Sequence, residues 1–274
     1  MTDAYDATTR EHRMAELGAA MGETLTCDHL TGRFRIFQRR RGHRHSTDDL
    51  LTAVYALTHG PERRPATLLD LGTGIGSVGL AVLDAHPHAT LVAIEAQDVS
   101  FRLFQENVAM NGVTAKVTAI HGDLREVALH RTFDLVTGSP PYFDPKDGIV
   151  SADSQRAHAR FELRGDVNDY CRAAVRTIAE GGRFVFCFPT AQRARALRAC
   201  ADAALPVVSH VDVVPRATLP ALFTLFSCAR PGEHDAPPIV ETPFVVRDES
   251  GRHTPEMDAA RRLLGFDVPA GDTT

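Results

Sequence analysis

The sequence predicts an α/β protein with a mostly parallel seven-stranded sheet, an antiparallel edge hairpin and helices on both faces. Three observations predict it. From Thr67 onward, short apolar runs alternate with longer helical patterns, as expected of parallel strands covered on both sides. A glycine-rich turn, Asp70-Leu71-Gly72-Thr73-Gly74-Ile75-Gly76, follows the first run and opens the first helical segment. Two late strand-like runs, 207–214 and 221–229, are joined by a Pro-containing link short enough for antiparallel pairing.

Residues 1–30 have weak periodicity, and a short helix is expected there. Arg33-Phe34-Arg35-Ile36-Phe37 alternates polar and apolar, the mark of a half-buried strand. Ser46 to Asp49 resembles a capping box, with Asp where Glu is usual, ahead of a helix over about 50–57 that Gly60-Pro61 ends. Strands are predicted at 67–71, 90–94, 116–120, 133–137 and 183–188, and helices at about 77–86, 98–110, 166–180 and 190–204. Asn111-Gly112 and Gly181-Gly182 read as left-handed stops for two of the helices. Pro237-Pro238 opens a tail: a strand near 239–247, a turn at 248–251 and a helix over 254–264. The expected organisation is a basic N-terminal extension (1–60), a core (61–232) and a tail packed on that core (233–274).

The chain has 274 residues, 43% of them hydrophobic and 24% charged, enough for a full α/β core, and it has no apolar run of membrane-spanning length. Its N-terminus is polar and carries no secretory pattern, so a cytoplasmic location is expected. The five cysteines form no CxxC pair and no His cluster has metal spacing; reduced thiols and no metal are the expectation. No heptad pattern or large apolar patch is visible, which makes a monomer the default. A net charge of −5 argues against nucleic-acid binding by bulk electrostatics. One local basic stretch exists: Arg33, Arg35, Arg39, Arg40, Arg41 and Arg44 lie in a segment without an acid. It fits either a solvated strand edge or an RNA contact.

The glycine turn fits two ligands. Gly74-Ile75-Gly76-Ser77-Val78-Gly79 spells the dinucleotide pattern GxGxxG, and Glu95 lies about 20 residues on, where an acid grips a ribose. S-Adenosylmethionine fits better. Asp70 precedes the first glycine, suited to a cationic ligand rather than a pyrophosphate, and no later segment supplies a second mononucleotide half. In that reading Glu95 accepts the ribose hydroxyls and Asp123 accepts from the adenine amino group; the alternatives are a surface acid and a helix N-cap.

Ser139-Pro140-Pro141-Tyr142 ends the apolar run 133–137. Two prolines without N–H groups make a stiff turn at a strand's carboxyl end, where open α/β sheets bind ligands. The Ser139 hydroxyl and the Pro140 carbonyl can each accept one hydrogen of a planar –NH2 group, and Tyr142 can stack on the ring that bears it.

The order DxGxGxG, Glu95, Asp123, Ser-Pro-Pro-Tyr resembles the class I S-adenosylmethionine-dependent amino-group methyltransferases, whose fourth motif is (Asn/Asp/Ser)-Pro-Pro-(Tyr/Phe/Trp). Within that class the chain is similar to the bacterial tRNA N6-adenine methyltransferases that modify the adenine beside the anticodon of valine tRNA. The similarity runs from about Phe34 to Phe266 and includes Thr47-Asp48-Asp49-Leu50-Leu51, Ala159-Arg160-Phe161 and Arg216 to Leu219. The resemblance implies a Rossmann-like methyltransferase fold and S-adenosyl-L-methionine bound by Thr47, Asp70, Gly72, Gly74, Gly76, Glu95, Asp123 and Ser139. It implies Ser139, Pro140, Pro141 and Tyr142 as the catalytic turn. A tRNA partner would be met by Arg39, Arg40, Arg41, Arg44, Phe143, Arg156, Arg160 and Arg216. The family usually has Asn where this chain has Ser139, and Ser-Pro-Pro-Tyr is also the form of many N4-cytosine methyltransferases. Competing readings are a protein-glutamine or small-molecule N-methyltransferase, and a cofactor-binding module without turnover. His121 and His158 read as loop histidines rather than bases.

Overall fold

The structure is a computed structural model that describes residues 4–42, 44–142 and 165–268. A nine-stranded sheet carries the molecule. Its central strands are β3 (Thr67–Leu71), β4 (Thr90–Glu95), β5 (Val117–His121), β6 (Phe133–Gly138), β7 (Ile178–Pro189), β8 (Val207–Val214) and β9 (Phe223–Ala229). They lie in the order β5-β4-β3-β6-β7-β9-β8. All run parallel except β9, which inserts between β7 and β8 antiparallel to both. The chain leaves β3 toward β4 and β5, then returns to place β6 on the other side, so the order reverses at β3/β6. A crevice at the carboxyl ends of these two strands is the ligand position for an open sheet.

Alternation along the strands fills two apolar cores. Leu68, Leu91 and Ala93 point into the first, with residues of α2 (Thr47–Thr58), α3 (Ser77–Ala85) and α4 (Asp98–Met110). Leu69, Val92 and Ile94 point into the second, with α5 (Val167–Thr177) and α6 (Arg193–Asp202). An antiparallel ribbon of β1 (Leu25–His29) and β2 (Arg35–Arg39) joins the first core through Ile36 and Phe37, as does Leu17 of α1 (Ala7–Met21). The tail helix α7 (Pro255–Leu263) adds Met257 and Ala260 to the same core.

Several boundaries differ from expectation. The N-terminal helix spans 15 residues, and β1 follows it where nothing was expected. Helix α5 ends at Thr177, and β7 starts at Ile178 and passes through Gly181 and Gly182. That pair bends a strand instead of stopping a helix: the register slips opposite Phe133–Leu135, and a Cβ at Gly182 would sit 3.0 Å from Asp134 O. The two late runs do pair as the expected antiparallel hairpin, with β9 between β7 and β8. The tail strand reduces to two-residue pieces, β10 (Ile239–Val240) and β11 (Phe244–Val245), both parallel to β8. Pro243 between them has no N–H for the ladder. No described helix is long and apolar enough to cross a membrane.

Candidate active site

The glycine turn between β3 and α3 is tied down from both sides. Asp70, 2% exposed at the end of β3, accepts from Thr73 Oγ1 (2.5 Å), Gly79 N (3.1 Å) and Thr137 Oγ1 (2.7 Å). One carboxylate thus links β3, the turn, α3 and the neighbouring β6. Burial pushes its carboxyl up, and the three hydrogen bonds oppose that shift. Gly72 has φ +62°, and a Cβ there would stand 2.0 Å from the Tyr170 hydroxyl, so this position demands glycine on two grounds. Glu95 ends β4 and accepts from Gly74 N (2.8 Å) and Gln97 N (2.7 Å).

These residues open on one cavity at the carboxyl ends of β3, β4 and β6. Asp70, Gly72, Gly74 and Glu95 line it, as do Gln97, Ser100, Ser139, Pro141 and, from the helices, Asp49 and Tyr170. Asp49 is the third residue of α2; its carboxylate accepts from Ser46 N at 3.0 Å, the return bond of the expected capping box. Burial, the Asp48 charge and Asp70 all push the Asp49 carboxyl well up. Two acids therefore share a poorly hydrated wall that favours a cation.

The Ser-Pro-Pro-Tyr turn follows β6 directly, and its Ser139 and Pro141 line this cavity with the glycine turn. Tyr142 is fixed at both ends. Its hydroxyl donates to Asp48 Oδ2 (2.9 Å), its carbonyl accepts from Gln192 Nε2 (2.7 Å), and its ring meets Phe188 edge-on at 6.0 Å.

Other expected residues sit differently. Thr47 is the exposed first residue of α2, and the cavity receives Asp49 from that turn instead. Gly76 caps α3 with φ +95°, packed against Phe104. Asp123 caps no helix: it opens a turn, accepting from Arg125 N at 2.9 Å and pairing with the Arg125 guanidinium, while its neighbours Gly122 and Leu124 line the cavity. Of the arginines, Arg39 is 7% exposed and paired with Glu23, and Arg44 pairs with Asp28 at 3.0 Å. Arg40, Arg41 and Arg216 are exposed. His121 stacks on Phe101 and contacts Asp98 at 3.0 Å. Phe143, Arg156, His158, Arg160 and Phe161 lie outside the described residues.

Residues 48–165 match the family model of the methyltransferase small domain, from the acidic turn of α2 through the glycine and Ser-Pro-Pro-Tyr motifs. That match covers less than half of the chain; with the relatives below it supports an S-adenosylmethionine-dependent methyltransferase. A protein of Histophilus somni named tRNA1(Val) (adenine(37)-N6)-methyltransferase is 28% identical over 57% of this chain and 65% of its own length. A Porphyromonas gingivalis protein of the same name is 26% identical over 82% of this chain and 89% of its own. In fold, the methyltransferase is similar to a predicted O-methyltransferase of Agrobacterium tumefaciens, with TM-score 0.62 and 17% identity over 80% of this chain and 97% of that one.

The cavity fits the cofactor. Its acidic wall suits a sulfonium and an ammonium, and among the described residues, chain neighbours aside, no atom lies within 4 Å of where a Cβ on Gly74 would point. Asp49, Asp48 and Tyr170 escaped the sequence reading as site residues. The first two were visible in the Thr-Asp-Asp sequence that opens α2, as part of a capping box and of the family resemblance, without a site role. Nothing local marks Tyr170, a tyrosine inside an amphipathic helix.

Proposed function

We propose that this methyltransferase modifies N6 of an adenine in the anticodon loop of a tRNA. The observation that carries the reading is the Ser-Pro-Pro-Tyr turn, whose Ser139 and Pro141 line the same cavity as Asp70 and Glu95. The names of the Histophilus and Porphyromonas relatives support the base and the RNA. The bound cofactor supplies an electrophilic methyl group. An exocyclic amine is a poor nucleophile because its lone pair is delocalised into the ring. Ser139 Oγ and the Pro140 carbonyl accept its two N–H bonds, which counters the positive charge developing on nitrogen. Tyr142 holds the ring plane, and alignment at about 3–3.5 Å supplies much of the remaining rate. No strong base is required, since the methylated, positively charged nitrogen is acidic and loses its proton readily.

A base in an anticodon loop is only partly stacked, so extruding it costs less than in a duplex. Arg40 and Arg41 lie in the loop from β2 into α2, and Arg216 in the β8–β9 loop at the sheet's carboxyl edge; we assign the phosphate contacts to them. Ser139 in place of Asn favours one second reading, N4 of cytosine. The test is nucleoside mass spectrometry of unmodified tRNA after incubation with the protein and S-adenosylmethionine. N6-methyladenosine supports the proposal, N4-methylcytidine replaces it with the second reading, and no methylated nucleoside refutes both.

A further inference from the structure

The Ser-Pro-Pro-Tyr turn cannot brace itself. Its two prolines have no N–H, so the middle of the turn has no backbone donor with which to fix its own shape. The direction of the Pro140 carbonyl then depends on how the chain is held on either side. Before the turn, β6 holds it as far as Gly138. After the prolines, the hold falls on Tyr142. Asp48 takes the Tyr142 hydroxyl, and the Tyr142 carbonyl accepts from Gln192 Nε2 at 2.7 Å.

Gln192 stands on a rigid perch. It ends a short 3-10 turn, Thr190–Gln192, that follows β7, the strand parallel to β6, at the same edge of the sheet. Thr190 N donates to Leu222 O at 3.1 Å, and the Thr190 hydroxyl lies 3.1 Å from Thr224 Oγ1 of β9. A side-chain amide has a donor end and an acceptor end. The Tyr142 carbonyl can only accept and a guanidinium can only donate. Arg195 Nη1 donates to Gln192 Oε1 at 3.3 Å, so the amide has one orientation that satisfies both neighbours. Arg195 is itself placed by Asp166, the N-cap of α5, at 3.5 Å, and by the Phe188 ring at 5.8 Å, the same ring that Tyr142 meets edge-on.

We infer that Gln192 is a positioning residue of the methyl transfer, whose amide N–H holds the Tyr142 carbonyl and so sets the direction of the Pro140 carbonyl and the Tyr142 ring. The inference rests on the proposal that this turn accepts a substrate amino group. Gln192 is not among the residues that line the cavity. It acts through the turn, and its removal should slow the transfer without weakening the cofactor.

Nuclear magnetic resonance of the carbonyl carbon tests the hold without turnover. Tyr142 is the only tyrosine followed by phenylalanine. Protein made with tyrosine labelled at the carbonyl carbon and phenylalanine labelled at nitrogen therefore gives one correlated signal, from the Tyr142 carbonyl. Loss of the hydrogen bond should move that signal upfield in Gln192→Met and in Gln192→Glu, neither of which has an amide donor at neutral pH. An unmoved signal in both would overturn the inference. Gln192→Glu keeps the side-chain volume and the contact with Arg195, so a folding defect in Gln192→Met does not decide the outcome. Kinetics on tRNA give the functional arm. Both variants should lower kcat about five- to tenfold, with KM and the calorimetric affinity for S-adenosylmethionine within about twofold of the wild type. An unchanged kcat, or a loss of cofactor affinity as large as the loss of kcat, would overturn the inference. If the wild type methylates no RNA amino group, the substrate proposal fails by itself, and the carbonyl signal still decides whether Gln192 holds the turn.

Discussion

Replacing Gly72 by Ala tests whether the glycine turn is shaped by its contact with α5 as well as by its backbone angle. The backbone has φ +62°, a left-handed conformation that costs an L-residue about 1–2 kcal/mol. The new Cβ would stand 2.0 Å from Tyr170 Oη, which must move within a buried ring environment. Overpacking of that kind adds about 1–3 kcal/mol. The expected loss for Gly72→Ala is therefore about 2–5 kcal/mol. The two contributions separate chemically. Tyr170→Phe removes the oxygen and leaves the ring carbon Cζ 3.1 Å from the Cβ, a contact that a shift of a few tenths of an ångström relieves. Tyr170→Phe alone should be nearly neutral, while the double variant should recover the overpacking part and retain only the backbone cost of about 1–2 kcal/mol. The assay is urea unfolding, where a 3 kcal/mol loss moves the midpoint by roughly 1.5 M at a slope of about 2 kcal/mol/M. Calorimetric titration of S-adenosylmethionine onto the same variants should show affinity recovering in parallel, because both residues line its cavity. A double variant no more stable than Gly72→Ala would refute the steric argument.

Four further outcomes are expected. Asp134 is buried, which alone would raise its pKa, but hydrogen bonds from Ala66 N, Thr67 and Arg63 outweigh this and hold the carboxyl below its ordinary range. Its stabilisation is thus complete above the unfolded-state value of about 4 and is lost as pH falls below it; Asp134→Asn should cost about 1–3 kcal/mol at pH 7 and flatten the acid limb of a stability–pH curve. Tyr142→Ala should lower kcat/KM on tRNA by about 10- to 100-fold, the worth of one stacked base, whereas Tyr142→Phe keeps the ring and should lose less than Tyr142→Ala; equal losses in kinetic assays would deny the ring its role. Arg39→Ala should destabilise the fold by about 1–3 kcal/mol, since it breaks a largely buried pair with Glu23, and leave the salt dependence of tRNA binding unchanged. Arg40→Ala should do the opposite, weakening tRNA binding with a salt slope shallower by about 0.7–0.9.

The arginine contrast shows where the sequence was legible and where it was not. Strands β3, β4 and β6 were readable because each is a short apolar run that alternates between two cores, as Leu91, Val92, Ala93 and Ile94 do. The glycine turn and Ser-Pro-Pro-Tyr were readable because glycine and proline act on their own backbone, whatever lies across from them. The six arginines of 33–44 look alike in sequence, yet strand position and a partner 16 residues earlier bury Arg39, while Arg40, one residue on, is exposed. The same holds at the site. Asp49, Tyr170 and Cys187 stand near the catalytic turn only because α2, α5 and β7 converge on one edge of the sheet. Tyr170 and Cys187 belong to no local motif, and Tyr170 matters through a neighbour, Gly72. A motif states which atoms meet the ligand. The residues that hold those atoms in place come from the packing, as Tyr170 does where it closes on the Gly72 turn.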